Sequence, residues 1–220
     1  MLGLSNFSYY FSLFVMIAHA LKIIKKELQA NLDLYQNANG GFIVELANVA
    51  NYVPSSGQQA MDILITLVNI KEEKTLKNLP NYVKDDVRMK ASYENPPVFL
   101  NVVLLFSVVK PTYSIALNGL SRVIRFFQHK NVFTQDSVLP ESLNFIPADD
   151  QLEAFKLIFD LHSPTMEEVN HLWGTLGGKQ YPFVLYTVRM LDLKFKKAPP
   201  IEGELILEIK NQLLHKKRVS

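Results

Sequence analysis

Residues 98–109 read VFLNVVLLFSVV, an almost unbroken apolar run set between Pro97 and Pro111. A strand with one wetted face alternates apolar and polar residues, so a run that scarcely alternates predicts a strand covered on both faces. Pro111 follows at a position where a helix starts without losing a needed N–H. Tyr113, Leu117, Leu120, Ile124 and Phe127 then recur at helical spacing and predict a helix with those residues as its buried stripe. Gly119 inside that helix costs about 1 kcal/mol relative to alanine, which predicts a close packing partner above it.

Upstream, residues 61–70 (MDILITLVNI) form a short β-branched-rich run suited to a buried strand, and residues 42–49 alternate weakly, as a half-buried strand does. Turn-forming clusters at NANGG (37–41) and PSSG (54–57) separate them. Residues 71–96 are polar and charged and read as a long surface excursion. Downstream, Phe155, Leu157, Phe159 and Leu161 alternate with Lys156, Asp160 and His162 in a one-sided strand. Thr165 with Glu168 makes a capping box, Gly177 and Gly178 supply a left-handed exit, and Val169, Leu172, Trp173 and Leu176 face inward between them. Residues 183–195 read as a long final strand, and 205–214 fit a strand or a helix equally. The predicted fold is α+β: a single mixed sheet with its helices packed mainly on one face.

The chain has 220 residues, of which 48% are apolar, enough for one core without covalent staples. It contains no cysteine, which excludes disulfides, thiolate nucleophiles, Cys-ligated zinc and iron–sulfur clusters. The net charge of +2 is too balanced for a nucleic-acid binder. The basic clusters at Lys25-Lys26, at Lys194, Lys196 and Lys197, and at Lys216-Lys217-Arg218 are short and read as solvated faces or tail. Residues 7–21 (FSYYFSLFVMIAHAL) are the most apolar stretch, yet a bilayer span needs about 20 such residues and a secretory signal needs positive charge ahead of them. From Ile17 the chain reads as an amphipathic helix, with Ile17, Leu21, Ile24, Leu28 and Leu32 on one stripe. Met16 is therefore expected to be the true start, with residues 1–15 an extension or a mis-assigned start. The domain then runs over 16–195, and 196–220 forms a basic tail. A peripheral membrane module held by residues 7–21 stays open as an alternative.

Little in the sequence points to catalysis. His19, His129, His162, His171 and His215 lie far apart and match no metal spacing. Gly177-Gly178-Lys179 fails as a phosphate loop, because position 173 is Trp and Gln180 stands where Ser or Thr would hold magnesium. It also sits at a helix exit, whereas phosphate cradles sit at helix starts. The adjacent acids at 72–73, 85–86, 149–150 and 167–168 read as solvated charge. No catalytic residue, metal or cofactor is expected.

Four stretches carry a specific likeness: ITLVNIKEEKTLKN (65–78), ENPPVFLNVVLLFS (94–107), LSRVIRFFQHKNVFT (120–134) and EEVNHLWGTLGGKQYPFVLYTVRML (167–191). In this order they resemble the cap, or tail-terminator, proteins of extracellular contractile injection systems, the particles typified by the Photorhabdus virulence cassettes and the antifeeding prophage. MIAHALKIIKKELQANL (16–32) is similar to the family's usual beginning. The likeness covers about 16–195; residues 1–15 and the tail beyond Pro200 depart from it, which leaves the closure of the central channel open. It implies a tail-terminator-like fold and a hexameric ring at the particle end opposite the baseplate, assembled in the bacterial cytoplasm. That ring would stop the inner tube and engage the last sheath ring. Candidate assembly residues on this reading fall in three regions. Asn95, Pro96 and Pro97 lead into the central strand. Asn131, Val132 and Phe133 form an apolar tip, although Phe133 is read equally well as core. His171, Trp173, Gly174, Gly177, Gly178 and Lys179 mark a helix exit at a subunit boundary, with Trp173 itself favoured as core. The C-terminal tail is a candidate strand for a neighbouring sheath sheet.

Overall fold

The computed structural model describes residues 5–34, 41–53, 62–75, 82–85, 90–93, 98–143, 155–193 and 201–204. In chain order the elements are α1 (Ser5–Asp33), β1 (Val44–Leu46), β2 (Ile63–Glu72), β3 (Tyr82–Asp85), β4 (Lys90–Tyr93) and β5 (Val98–Val108). They continue with α2 (Tyr113–His129), β6 (Val132–Thr134), β7 (Lys156–His162), α3 (Met166–Thr175), β8 (Phe183–Leu193) and β9 (Ile201–Glu204). The main sheet has six strands in the order β1-β2-β5-β8-β7-β6. β1 runs parallel to β2 and every other pairing is antiparallel, so the sheet is mixed.

The unalternating run predicted at 98–109 is β5, and it is covered on both faces as expected. Val102, Leu104, Phe106 and Val108 point into one buried cluster with α1 and α2; Val103, Leu105 and Val109 point into a second cluster with α3. Two helices therefore share one face and the third lies on the other. A separate three-stranded antiparallel sheet, β3-β4-β9, adds to the single sheet predicted. The polar excursion at 71–96 accordingly contains two short strands. Ile201–Glu204 of the predicted tail pairs with β4 of its own chain. The candidates Asn95, Pro96 and Pro97, residues 37–40 of the NANGG turn, the PSSG turn at 54–57, and residues 205–220 lie outside the described residues. Among the described residues no helix is long and apolar enough to cross a membrane.

α2 corrects the stripe read from the sequence. Its buried residues are Ala116, Gly119, Val123, Phe126 and Phe127, whereas Tyr113, Leu117 and Ile124 are 68%, 41% and 38% exposed. The apolar arc of this helix is wide, and the roll is decided at Gly119. A Cβ placed there would lie 2.6 Å from Cε1 of Phe42 and 3.1 Å from Cγ1 of Val108, so only glycine admits this approach. The packing partner expected over Gly119 is thus the Phe42 ring.

Polar groups tie α1 down. The buried Glu27 carboxylate accepts from Lys130 Nζ at 2.7 Å and from the Leu139 N–H at 2.6 Å. It joins α1 to the segment that follows α2. Lys25 and Lys26, read from sequence as a solvated pair, are engaged: Lys25 donates to Glu45 at 2.7 Å and Lys26 to the Glu141 carbonyl at 2.7 Å. His19 is fully buried on α1 beside Ser142. Burial, followed by the nearby Lys22 charge, pushes its imidazole below the ordinary 6.5, against an opposing hydrogen bond to the Ser142 backbone.

Two outcomes are expected. Gly119→Ala should destabilise the fold by about 1–3 kcal/mol, as overpacked core substitutions do, read as a lower urea midpoint. For His19 the unfolded chain takes up the proton first, so its contribution holds above pH 6.5 and is lost as pH falls through the lowered folded value. Replacing His19 by Leu should flatten that part of the stability–pH curve; an unchanged slope would contradict the assignment.

Candidate assembly interface

α3 is fixed at both ends by local chemistry. The Thr165 hydroxyl accepts from the Glu168 N–H at 3.3 Å, and the Glu168 carboxylate accepts from the Thr165 N–H at 2.8 Å. These bonds from the Thr165 backbone and side chain hold the exposed Glu168 carboxyl below its ordinary range. At the exit the Gly178 N–H donates to the Trp173 carbonyl at 2.7 Å and the Leu176 N–H to the Leu172 carbonyl at 3.1 Å. Gly177 (φ 92°) and Gly178 (φ 77°) adopt the left-handed backbone this exit requires.

Between the caps, Val169 and Trp173 are buried against Leu64, Val103, Leu105 and Leu185. The Trp173 ring meets Phe183 edge-on at 5.4 Å and Tyr181 at 6.3 Å, which makes it the anchor of α3 on the sheet. His171, Gly174, Gly177, Gly178 and Lys179 are all exposed. The third candidate region is therefore solvent-exposed apart from Trp173, which is buried. Gly174 differs from the exit glycines: it sits inside the helix, and a Cβ added there would meet nothing within 4 Å. Neither a turn nor a neighbour among the described residues requires it.

The Asn131–Phe133 region does not form a tip. Phe133 is 0% exposed and packs with the rings of Phe159 at 5.3 Å, Phe126 at 6.0 Å and Phe127 at 6.3 Å. Short β6 pairs with β7 and turns this side chain into the core, leaving only Asn131 exposed and Val132 half-buried.

The surface that sequence reasoning missed is the outer flank of α2. Tyr113, Leu117 and Ile124 were legible as a stripe but assigned to the core. α2 carries Arg122 and Arg125 and no acidic residue, while α3 carries Glu167 and Glu168 and no lysine or arginine. The same sheet face as α3 also bears a self-contained polar strip. Glu73 accepts from Thr75 Oγ1 at 2.7 Å and Asn101 Nδ2 at 2.8 Å, bonds that pull its carboxyl down to about 2, and Arg189 pairs with Asp160. Among the described residues no group of three His, Asp or Glu is placed to hold a metal.

Because space around Gly174 is open, Gly174→Ala should raise the unfolding free energy by about 0.5–1 kcal/mol through helix propensity. Urea denaturation of the variant checks this, and a loss of stability would reveal an intrachain role for the glycine.

No curated protein matches the chain. Solved structures that share its fold include the following two. One, an extracellular contractile injection system described as the PVC sheath/tube terminator in its extended state, has a TM-score of 0.54 at 14% identity and aligns with 90% of this chain and 64% of its own. The other, the anti-feeding prophage cap described as the AFP tube terminating cap, has a TM-score of 0.54 at 12% identity, covering 86% and 60%. The chain thus spans less than two thirds of either. Residues 19–204 match the model of the Pvc16 N-terminal domain. The chain belongs to that family.

Proposed function

We propose that this domain caps a phage-tail-like contractile injection particle, ending the inner tube and engaging the last sheath ring as a ring of six copies. The family match over residues 19–204 carries the reading, and the fold shared with a sheath/tube terminator and a tube-terminating cap supports it. The physics is that of a polymer stop. A tube grows because each ring offers a copy of the surface it has just bound; a terminator binds that surface and offers a different one. Identical subunits close into a ring when a heterologous contact is related by a closing rotation. Assembly takes place in the bacterial cytoplasm, and the partners are the inner-tube protein, the sheath protein and further copies of the chain itself.

Deleting the gene should leave tubes of irregular length in negative-stain images, restored to uniform length by the intact protein. Uniform tubes of normal length in its absence would overturn the proposal.

A further inference from the structure

α2 and α3 lie on opposite faces of the six-stranded sheet, and each leaves an outward surface outside the two buried clusters of the described residues. On α2 the exposed residues Tyr113, Leu117 and Ile124 follow one another at helical spacing along one flank. On α3 the exposed residues Glu167, Asn170, His171 and Gly174 share one face, since positions three and four apart are neighbours on a helix. The first surface is bulky, apolar and set on a helix whose only charges are basic. The second is polar, carries the bare position at Gly174, and is set on a helix whose only charges are acidic. Gly174 weakens its helix relative to alanine, and a Cβ added there would meet nothing within 4 Å among the described residues. A bare helix backbone facing outward is what a second helix needs for close approach.

We propose that the α2 flank of one copy packs on the outer face of α3 of the next copy, with Leu117 and Ile124 seated over Gly174. The basic α2 then faces the acidic start of α3. The two surfaces differ and sit on opposite faces of one sheet, so the contact is heterologous: front to back, repeating from copy to copy. This pairing rests on the ring reading above and supplies its subunit boundary.

The absence of cysteine gives a clean background for cross-linking. Leu117→Cys and Gly174→Cys, each full-length, are mixed and treated with a short bis-maleimide in the presence of tube. The expected result is at least about tenfold more cross-linked dimer in the mixture than in either variant alone, as a heterologous contact requires. Gly174→Gln, which fills the bare position with a good helix former, should lower the assembled fraction at least about tenfold while leaving the melting temperature of the monomer unchanged or higher. Cross-linking of Leu117→Cys to itself, or to the tube protein in preference to a second copy, would overturn the pairing. If the unaltered protein forms rings but the mixed cross-link is absent and Gly174→Gln assembles normally, this boundary is wrong and the ring stands. If the unaltered protein forms no ring, alone or on tube ends, both fall.

Discussion

The ring of Phe42 fills the volume that any side chain at residue 119 would need, with Cε1 2.6 Å from a Cβ placed there. That contact is held from several directions. Asp62 accepts from the Ile43 N–H at 3.0 Å, and its other carboxylate oxygen pairs with Lys110 at 2.6 Å. Lys110 and Arg122 place their charges 5.7 and 5.3 Å from the Phe42 ring. Cation–π contacts at such sites contribute on the order of 0.5–1 kcal/mol each, so their main effect here is positional. Together they join the starts of β1 and β2, the end of β5 and the middle of α2, and they fix how α2 is rolled on the sheet.

The roll propagates inward through Phe127. With α2 turned toward Gly119, the Phe127 ring stacks on Phe159 at 4.4 Å and lies 4.7 Å from Tyr186 and 5.1 Å from Phe106. One side chain thereby contacts β5, β8 and β7 at once. The helix ends at His129, and Lys130 reaches the buried Glu27 of α1. An unpaired buried carboxylate would be costly, and removing one partner of such a pair typically loses about 3–5 kcal/mol. The α1–α2 layer is thus set by one close approach and one buried ion pair, with the aromatic cluster between them.

Elements with strong local signals were legible from sequence. The double-sided burial of β5 follows from an apolar run too continuous for a one-sided strand. The capping box at Thr165–Glu168 and the exit at Gly177–Gly178 need only neighbours a few residues away, so the residues that make them are adjacent in the chain. The α2 stripe was misread because its apolar residues span a wide arc, and the choice of face depends on Phe42, some seventy-seven residues upstream of Gly119. Gly119 itself signalled a close partner but not which flank would be lost to solvent. Strands β3, β4 and β9 have four residues each, too short to show a period, and two of them lie in a polar segment. Phe133 was undecidable locally: a three-residue strand has one inward position, and only its pairing with β7 selects the phenylalanine for it.

Gly174 acquires its meaning from how α3 is restrained. A glycine inside a helix normally adds freedom as well as lowering stability. In α3 that freedom is contained: the capping box closes one end, the exit bonds close the other, and Trp173, the residue before the glycine, is wedged between Phe183 and Tyr181. The bare backbone is therefore presented from a rigid platform rather than a loose turn. Rigid presentation limits the ordering cost of association, which otherwise consumes much of the gain from a modest contact area. A capping role depends on shape in this sense. The α2 flank and the α3 face stand on opposite sides of one sheet, and the Phe42–Gly119 approach fixes which flank of α2 is turned outward.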